Sequence, residues 1–189
     1  MKTILVTGPS RSGKSEWAEQ LAQQLSAQKN QQVVYVATSR LDPKDAEWQA
    51  RVEKHRVRRP EGWRCVEVPV DLAAAIAFHT PKHCLLIDSL GTWLANCIEQ
   101  SDEEWERAQS QLLAAIEQTQ ATVIFVAEET GWGVVPSYEM GRLFRDRLGS
   151  LSRKVGAIAS ETYLVTCGFA LPLSQLATPV RELPPPTSD

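Results

Sequence analysis

The sequence predicts an α/β fold in which helices flank a mostly parallel sheet. Short apolar runs alternate along the chain with segments whose apolar residues recur at helical spacing, and this alternation is typical of parallel sheets. The first two runs, residues 4–7 and 33–37, enclose one helical segment within roughly 35 residues, which is the size of a βαβ unit. We therefore expect these two strands to be parallel and joined by a right-handed crossover.

The other elements follow from the same two periodicities. Ala or Leu at positions 18, 21, 22 and 25 predicts the first helix, because these residues recur at i, i+3, i+4 and i+7. A second helix is expected between Asp42, a good N-cap, and Pro60, which cannot continue a helix. Further strands are predicted at 65–68, 84–88, 122–127 and 162–166, and further helices at 71–78, 92–99, 102–119 and 139–159.

Length and composition predict one folded domain. A chain of 189 residues, with 43% hydrophobic and 23% charged residues, is long enough for one core and has the composition of a globular protein. We expect a single catalytic domain over residues 1–171. From Pro172 onward the chain is polar and rich in proline, so a poorly ordered tail is expected over 172–189.

Several classes of function are disfavoured. The formal net charge is -3, so no basic excess is available to bind nucleic acid. No apolar run approaches the length of a membrane span, and the first residues enter a strand without a signal-peptide core, so we expect a cytoplasmic protein. The four cysteines form no C-x-x-C pair, which predicts neither a zinc site nor a disulfide framework.

The first strand leads into a phosphate-binding loop. The loop reads Gly8-Pro9-Ser10-Arg11-Ser12-Gly13-Lys14-Ser15, which has the pattern G-x-x-x-x-G-K-S between a strand and a helix. Gly8 and Gly13 permit backbone angles that turn successive N–H groups inward to form an anion nest. Lys14 is expected to reach the β- and γ-phosphates, and the Ser15 hydroxyl to ligate Mg²⁺.

Two carboxylates are expected near this loop. Asp88 ends an almost wholly apolar run, and ligands bind at the carboxyl edge of a parallel sheet, so Asp88 is a candidate Mg²⁺ ligand. The alternative is a helix cap, because Asp is common there. Glu129 follows the strand at 122–127. It either orients or deprotonates an acceptor hydroxyl, or it caps the next turn. The glycine-punctuated residues 130–136 are interpreted as a substrate loop.

His55 has two interpretations. By spacing alone it shares a helical stripe with Trp48 and Val52, where a packing role is the commoner one. The other interpretation, a catalytic role, comes from a family resemblance.

Several motifs together resemble the bifunctional adenosylcobinamide kinase / adenosylcobinamide-phosphate guanylyltransferase family. They are Val6-Thr7-Gly8-x-x-Arg11-Ser12-Gly13-Lys14-Ser15, Tyr35-Val36-Ala37-Thr38-Ser39, Arg51-Val52-Glu53-Lys54-His55-Arg56-Val57-Arg58-Arg59-Pro60 followed by Trp63, Leu86-Ile87-Asp88 with Thr92-Trp93-Leu94, and Glu129-x-Gly131-x-Gly133-x-Val135-Pro136 with Arg142-x-Phe144-Arg145-Asp146 and Gly149.

The resemblance covers about residues 1–168 and implies an enzyme of cobalamin nucleotide-loop assembly. Such an enzyme phosphorylates adenosylcobinamide with ATP or GTP. It then transfers GMP from GTP to adenosylcobinamide phosphate and releases pyrophosphate. The resemblance further implies a RecA-like P-loop domain, Mg²⁺ as the metal, no tightly bound organic cofactor, and a homotrimer.

The resemblance also assigns site residues. His55 is implied as the nucleophile that carries GMP covalently. Nucleotide contacts are implied at Gly8, Pro9, Ser10, Arg11, Ser12, Gly13, Lys14, Ser15, Ala37, Thr38, Ser39, Arg56, Val57, Arg58, Arg59, Glu67 and Asp88.

Three positions depart from the family pattern. Pro9 stands where the family usually has a second glycine, and Glu128 and Ser152 stand where it usually has asparagine. We interpret the last two as candidates for contact with the corrinoid or the acceptor phosphate. Two other functions are compatible with the phosphate loop alone: a small-molecule kinase without guanylyltransferase activity, and a RecA-like nucleotide-gated assembly protein.

Overall fold

The computed structural model of the chain describes residues 2–40, 49–50, 52–53, 57 and 59–180. The strands are β1 (Lys2–Gly8), β2 (Gln32–Ala37), β3 (Arg64–Glu67), β4 (His83–Asp88), β5 (Thr122–Glu128), β6 (Glu161–Thr166) and β7 (Phe169–Pro172). The helices are α1 (Lys14–Lys29), α2 (Leu72–Phe78), α3 (Leu90–Asn96), α4 (Asp102–Gln118), α5 (Glu139–Ile158) and α6 (Leu173–Leu176). The described part of the predicted second helix, residues 49–50, 52–53 and 57, is helical.

All seven strands form one sheet in the order β3-β2-β4-β5-β1-β6-β7. Neighbouring strands are parallel except β6 and β7, which are antiparallel. The predicted α/β fold is therefore confirmed. Strands β1 and β2 are parallel as expected, but β5 and β4 lie between them. This order, with β5 between the phosphate-loop strand and the Asp88 strand, agrees with the expected RecA-like P-loop fold.

The core has one layer on each face of the sheet, because alternate residues of a strand point to opposite faces. On one face, Ile4 and Val6 of β1 pack with Leu21 of α1. On the other face, Leu5 belongs to a larger cluster that includes Leu112 of α4 and residues of α2, α3 and α5. Helices thus cover both faces, so the central strands are buried throughout.

The strand register brings the predicted site residues to one edge. Gly8 of β1 pairs with Glu128 of β5, and Asp88 of β4 pairs with Val126 of β5. Ala37 of β2 is in register with both Asp88 and Glu67 of β3. The parallel strands therefore end together beside the phosphate loop, as expected for a ligand-binding edge.

The C-terminal part contains a hairpin that the sequence analysis did not predict. Cys167 (φ 50°) and Gly168 (φ 77°) form a tight turn, after which β7 pairs with β6 as far as Pro172 opposite Tyr163. Helix α6 follows inside the range expected to be a poorly ordered tail, so the ordered chain extends beyond residue 171. The rest of the predicted tail, 181–189, lies outside the described residues.

Other element boundaries differ from the predictions by a few residues at most. The helix predicted at 92–99 runs from Leu90 to Asn96, because Ser89 caps it two residues earlier. In the described ranges no helix combines the length and the apolar composition that a membrane crossing needs. The four cysteines are unpaired.

Candidate active site

The phosphate loop adopts backbone angles that need glycine. Gly13 has φ 96° and Gly8 φ 157°, and Arg11 between them has φ 60°. A Cβ atom on Gly8 would overlap the Val165 carbonyl oxygen of β6 and lie 2.9 Å from Ser12 Oγ. The loop is thus packed against the end of β6 and turns there, as the motif predicts.

Lys14 and Ser12 line the inside of this loop. Lys14 is buried and its Nζ donates to the Pro9 carbonyl oxygen at 3.2 Å, across the loop. Ser12 is buried too, and its Oγ has no hydrogen-bond partner among the described residues. Helix α1 begins at Lys14, so its free N–H groups and its positive dipole end lie at the loop. An unpaired donor, an ammonium group and a helix start together favour a phosphate ligand.

Asp88 is held by a residue of the neighbouring strand. The Tyr35 hydroxyl donates to Asp88 Oδ2 at 2.8 Å. Burial, with a further contribution from the Asp88 charge, raises the pKa of Tyr35 far above its ordinary value. The hydroxyl therefore keeps its proton and acts as a donor to the carboxylate.

Thr38 joins the ends of β2 and β4. It is fully buried, and its Oγ1 donates to the Ser89 carbonyl oxygen at 2.7 Å and accepts from the Ser89 N–H at 2.9 Å. Asn96 Nδ2 donates to the Thr38 carbonyl oxygen at 2.7 Å. The Thr38 side chain is thus engaged in the scaffold, while Ser39 beside it is half-buried.

Glu128 lies at the centre of the strand-end edge. Its Oε1 accepts from Ser89 Oγ at 2.6 Å and its Oε2 from the Gly91 N–H at 3.1 Å. Burial raises the pKa of Glu128, and the negative charge of Asp88 raises it further. The hydrogen bond from Ser89 and the positive charge of Lys14 lower this pKa, but the net shift is upward. A Cβ on Gly91 would overlap the Glu128 carboxylate. The glycine thus allows α3 to approach this side chain.

Glu129 lies on the phosphate-loop side of the same edge. The Thr7 hydroxyl donates to Glu129 Oε1 at 2.8 Å, and the Glu129 N–H donates to the Gly8 carbonyl oxygen at 2.9 Å. The loop that follows exposes the apolar side chains of Trp132 and Val134. Helix α5 fixes its end, because Arg142 Nη1 donates to the Ser137 carbonyl oxygen at 2.7 Å.

The donor set at this edge fits Mg²⁺. Ser15 in the first turn of α1 and Asp88 at the end of β4 offer a hydroxyl and a carboxylate, both hard oxygen ligands. Among the described residues no group of three or more His, Cys, Asp or Glu side chains could hold a metal by itself. In proteins Mg²⁺ is typically bound by one or two protein oxygens together with substrate phosphates.

The second predicted constellation is described only in part. His55, Arg56 and Arg58 lie outside the described residues. Val57 is exposed, and the Arg59 guanidinium lies over the Tyr35 ring, 3.6 Å from the ring centroid.

Glu67 is exposed at the end of β3. The structure thus brings Arg59 to the ring face of Tyr35 and Asp88 to its hydroxyl, and leaves Glu67 at the margin of the edge.

Sequence reasoning missed Tyr35 and Ser89 as members of the site. Ser89 directly follows Asp88 and has the N-cap signature with Thr92 three residues later, which was a usable signal. Tyr35 has no local signal, because its partner Asp88 is distant in sequence. Ser152, expected at the acceptor, lies on α5 about 20 Å along the helix from Glu139, with its hydroxyl buried. It therefore does not share the strand-end edge.

The strand order, the glycine-dependent phosphate loop and the carboxylates at the strand ends define a P-loop nucleotide-binding enzyme. The family model for cobinamide kinase / cobinamide phosphate guanyltransferase matches residues 4–173. The chain therefore belongs to the cobinamide kinase / cobinamide phosphate guanyltransferase family. Its function is that of a kinase and guanylyltransferase of cobalamin nucleotide-loop assembly, which confirms the expectation from the motifs.

Individual relatives agree over nearly their whole length. The bifunctional adenosylcobalamin biosynthesis protein CobU of Escherichia coli (strain K12) is 37% identical over an alignment of 183 positions; the alignment covers 89% of this chain and 97% of that protein. The protein CobP of Pseudomonas aeruginosa, with the same description, is 34% identical over 171 residues, which cover 89% and 95%. The flagellar accessory protein FlaH of Methanocaldococcus jannaschii superimposes with a TM-score of 0.48 at 14% identity, covering 89% of this chain and 74% of that one.

Proposed function

We propose that this chain performs two successive transfers to one corrinoid at a single nucleotide site. In the first, the hydroxyl of adenosylcobinamide attacks the γ-phosphorus of ATP or GTP and gives adenosylcobinamide phosphate. In the second, GMP from GTP joins that phosphate and pyrophosphate leaves. The observation that carries the proposal is the meeting of Lys14, Asp88 and Glu128 beside the phosphate loop of a family member.

The second transfer proceeds through a covalent intermediate on His55. A neutral imidazole nitrogen attacks the α-phosphorus of GTP, the bond to the β-phosphate oxygen breaks, and pyrophosphate departs. An oxygen of adenosylcobinamide phosphate then attacks the same phosphorus, and the N–P bond breaks to restore the imidazole. Chain geometry supports this: Cα atoms four residues apart are separated by at most about 14 Å, and Arg59 stacks on the tyrosine that contacts Asp88.

Lys14 would bind the phosphates of the nucleotide, and Ser15 and Asp88 would bind the metal. Ser15 and Asp88 would hold Mg²⁺, which supplies charge neutralisation when it is bound. Lys14 leaves the Pro9 carbonyl oxygen and donates to the β- and γ-phosphates. Its ammonium group already lies inside the loop, so binding requires only that phosphate oxygens replace the Pro9 carbonyl oxygen as its acceptor.

Glu129 serves the acceptor in the kinase step. Its Oε1 already accepts from the Thr7 hydroxyl, so the side chain is oriented beside the loop. We propose that the Glu129 carboxylate accepts the proton that the attacking hydroxyl releases. The remaining nucleotide contacts proposed from the family pattern are Gly8 to Gly13 of the loop, Ala37, Thr38, Ser39, Arg56, Val57, Arg58, Arg59 and Glu67.

The family pattern also supports a proposal for the assembly. We propose that the enzyme is a homotrimer and acts in the cytoplasm, where nucleoside triphosphates are present. Four free cysteines agree with a reducing compartment. Size-exclusion chromatography with light scattering tests the trimer directly: a monomeric mass throughout the micromolar range would contradict it.

The decisive experiment is labelling with α-³²P-GTP and Mg²⁺. The wild-type protein is expected to acquire a label that is stable in alkali and lost in acid, as a phosphoramidate is. His55→Ala is expected to abolish it. The chain's other histidines offer matched controls: His79→Ala and His83→Ala should label as the wild type does, because both rings lie at the β4 amino end, away from the phosphate loop.

The same experiment separates the alternatives. A kinase without guanylyltransferase activity would phosphorylate the corrinoid but take up no α-label. A nucleotide-gated assembly protein would show neither reaction. Label retained by His55→Ala would overturn the covalent role of His55.

A further inference from the structure

Tyr35 contacts two parts of the site that belong to different sequence motifs. One is Asp88, and the other is the His55 segment, residues 51–60. Tyr35 is buried, with 3% of its surface exposed, on the α1 face of the sheet. Its hydroxyl donates to Asp88 Oδ2 at 2.8 Å. The Arg59 guanidinium stacks over the Tyr35 ring, with Cζ 3.6 Å from the ring centroid. One side chain thus contacts both the candidate metal ligand and the end of the His55 segment.

We propose that Tyr35 is a positioning residue that fixes the Asp88 carboxylate for the metal–nucleotide complex and seats Arg59 beside it. This inference rests on the proposed function, because that function gives Asp88 and the His55 segment their roles. In this role Tyr35 acts through Asp88 and Arg59, the two side chains that it contacts.

The hydroxyl orients Asp88. A terminal carboxylate rotates broadly about its last bond, and a donor on one oxygen selects one orientation. Partners that orient metal ligands typically contribute 10- to 100-fold to metal affinity. In the β2–β4 pairing, Tyr35 lies opposite Leu86 and Asp88 lies opposite Ala37. The backbone therefore fixes Tyr35 and Asp88 on one face of the sheet, two positions apart. The donor is therefore rigidly placed.

The ring face seats Arg59. Arg59 Nη1 donates to Cys65 Sγ at 3.1 Å, and its Nε is buried without a partner among the described residues. Within the part of the chain that the structure describes, stacking and one weak hydrogen bond hold the planar guanidinium. Since Arg59 follows His55 by four residues, this stack attaches the end of that segment to the edge that holds Asp88.

Tyr35→Phe tests the hydroxyl alone, because it keeps the ring. Binding of a non-hydrolysable GTP analogue is measured by calorimetry over a series of Mg²⁺ concentrations, so the readout needs no turnover. We expect the Mg²⁺ concentration for half-maximal tight binding to rise on the order of 10-fold. Tyr163→Phe is the matched control, because it removes the hydroxyl of a partly buried tyrosine that packs against the same core cluster but bonds Glu161 instead. Equal Mg²⁺ dependence of the Tyr35→Phe and Tyr163→Phe proteins would overturn the proposal for the hydroxyl.

Two further variants test the ring. Tyr35→Leu removes the stacking face, and Arg59→Lys keeps the charge but loses the planar group. At saturating Mg²⁺, both are expected to form the protein–GMP adduct about 3- to 10-fold more slowly than Tyr35→Phe, given the strength of such contacts. Should Tyr35→Leu not fold, Arg59→Lys still offers a way to refute the seating, although a slow rate could also come from a lost nucleotide contact of Arg59 itself. Adduct formation by Arg59→Lys at the rate of Tyr35→Phe would overturn the seating of Arg59.

The outcome is separable from that of the proposed function. If no adduct forms on the wild-type protein, the guanylyltransferase proposal fails, yet the calorimetric comparison of Tyr35→Phe with Tyr163→Phe still tests the positioning of Asp88. If the adduct forms and Mg²⁺ dependence does not change, only the positioning role fails.

Discussion

At the scale of single residues, Gly8 is where the phosphate loop least tolerates a side chain. Its φ of 157° and the Val165 carbonyl oxygen leave no room for a Cβ. Gly8→Ala is expected to lower the free energy of unfolding by roughly 2–4 kcal/mol, the sum of backbone strain and overpacking. Gly149→Ala in α5 is the control: nothing lies within 4 Å of its added Cβ, so it should raise stability by roughly 0.5–1 kcal/mol. Urea unfolding measures both, and similar effects of the two changes would contradict this account.

Glu128 gives the molecule a pH dependence of known sign. Burial raises the pKa of this carboxyl in the folded state. Between the unfolded value and the raised one, the folded protein therefore binds more protons than the unfolded protein, and stability falls as pH rises. Glu128→Gln removes the titrating carboxyl and with it this contribution to the pH dependence of stability. We expect the stability of the variant relative to the wild type to increase with pH through this window, measured by urea unfolding from pH 4 to 8. Parallel curves would refute the assignment.

The residues of the site were predictable to the extent that they belong to contiguous motifs. Gly8, Lys14 and Asp88 were found because a strand end followed by glycine or carboxylate is a local pattern. Tyr35 was missed because its hydroxyl meets Asp88 only after β2 and β4 pair, 53 positions apart. Ser152 was misplaced because a departure from a family pattern carries no information about the direction of a side chain.

At the scale of elements, one side chain, Ser89, both caps α3 and donates a hydrogen bond to Glu128. Ser89 accepts from the Thr92 N–H and donates to Glu128, whereas Ser101 caps α4 in an exposed capping box. Ser101→Ala should cost about 1 kcal/mol. Ser89→Ala should cost about 2–4 kcal/mol, because it also leaves a buried carboxylate oxygen without its donor. Denaturant unfolding of the two variants provides the comparison, and equal losses would show that the Glu128 contact contributes nothing.

The elements themselves were largely predictable because each carries its own periodicity. Helix α5 and strand β5 agree with the expected ranges within one residue at each end. The hairpin of β6 and β7 was missed because its signal is weak: Cys167 and Gly168 form the turn, and β7 is short and ends at Pro172. A proline is tolerated there because β7 is the last strand of the sheet.

At the scale of the whole molecule, the periodicities alone could not predict the order of the strands, which only the family resemblance implied through a RecA-like fold. A βαβ unit predicts that β1 and β2 are parallel, but not that β4 and β5 are inserted between them. That insertion is what places Glu128 between Gly8 and Asp88. The pairings that define this order join residues far apart in the chain, such as Lys2 with Thr122, so no local pattern reveals them.

Because the site is assembled from the ends of several strands, nucleotide binding should stabilise the fold as a whole. A ligand that binds only the folded state at 100 times its dissociation constant adds about 2.7 kcal/mol. For a domain of this size that corresponds to a rise in Tm of roughly 5–10 °C. We expect this rise for the wild type with Mg²⁺ and GTP, measured by differential scanning calorimetry, and also for His79→Ala. Lys14→Ala should lose most of it at the same nucleotide concentration, since the phosphates lose their ammonium partner. A full shift in Lys14→Ala would mean that the nucleotide binds elsewhere than at the opening loop.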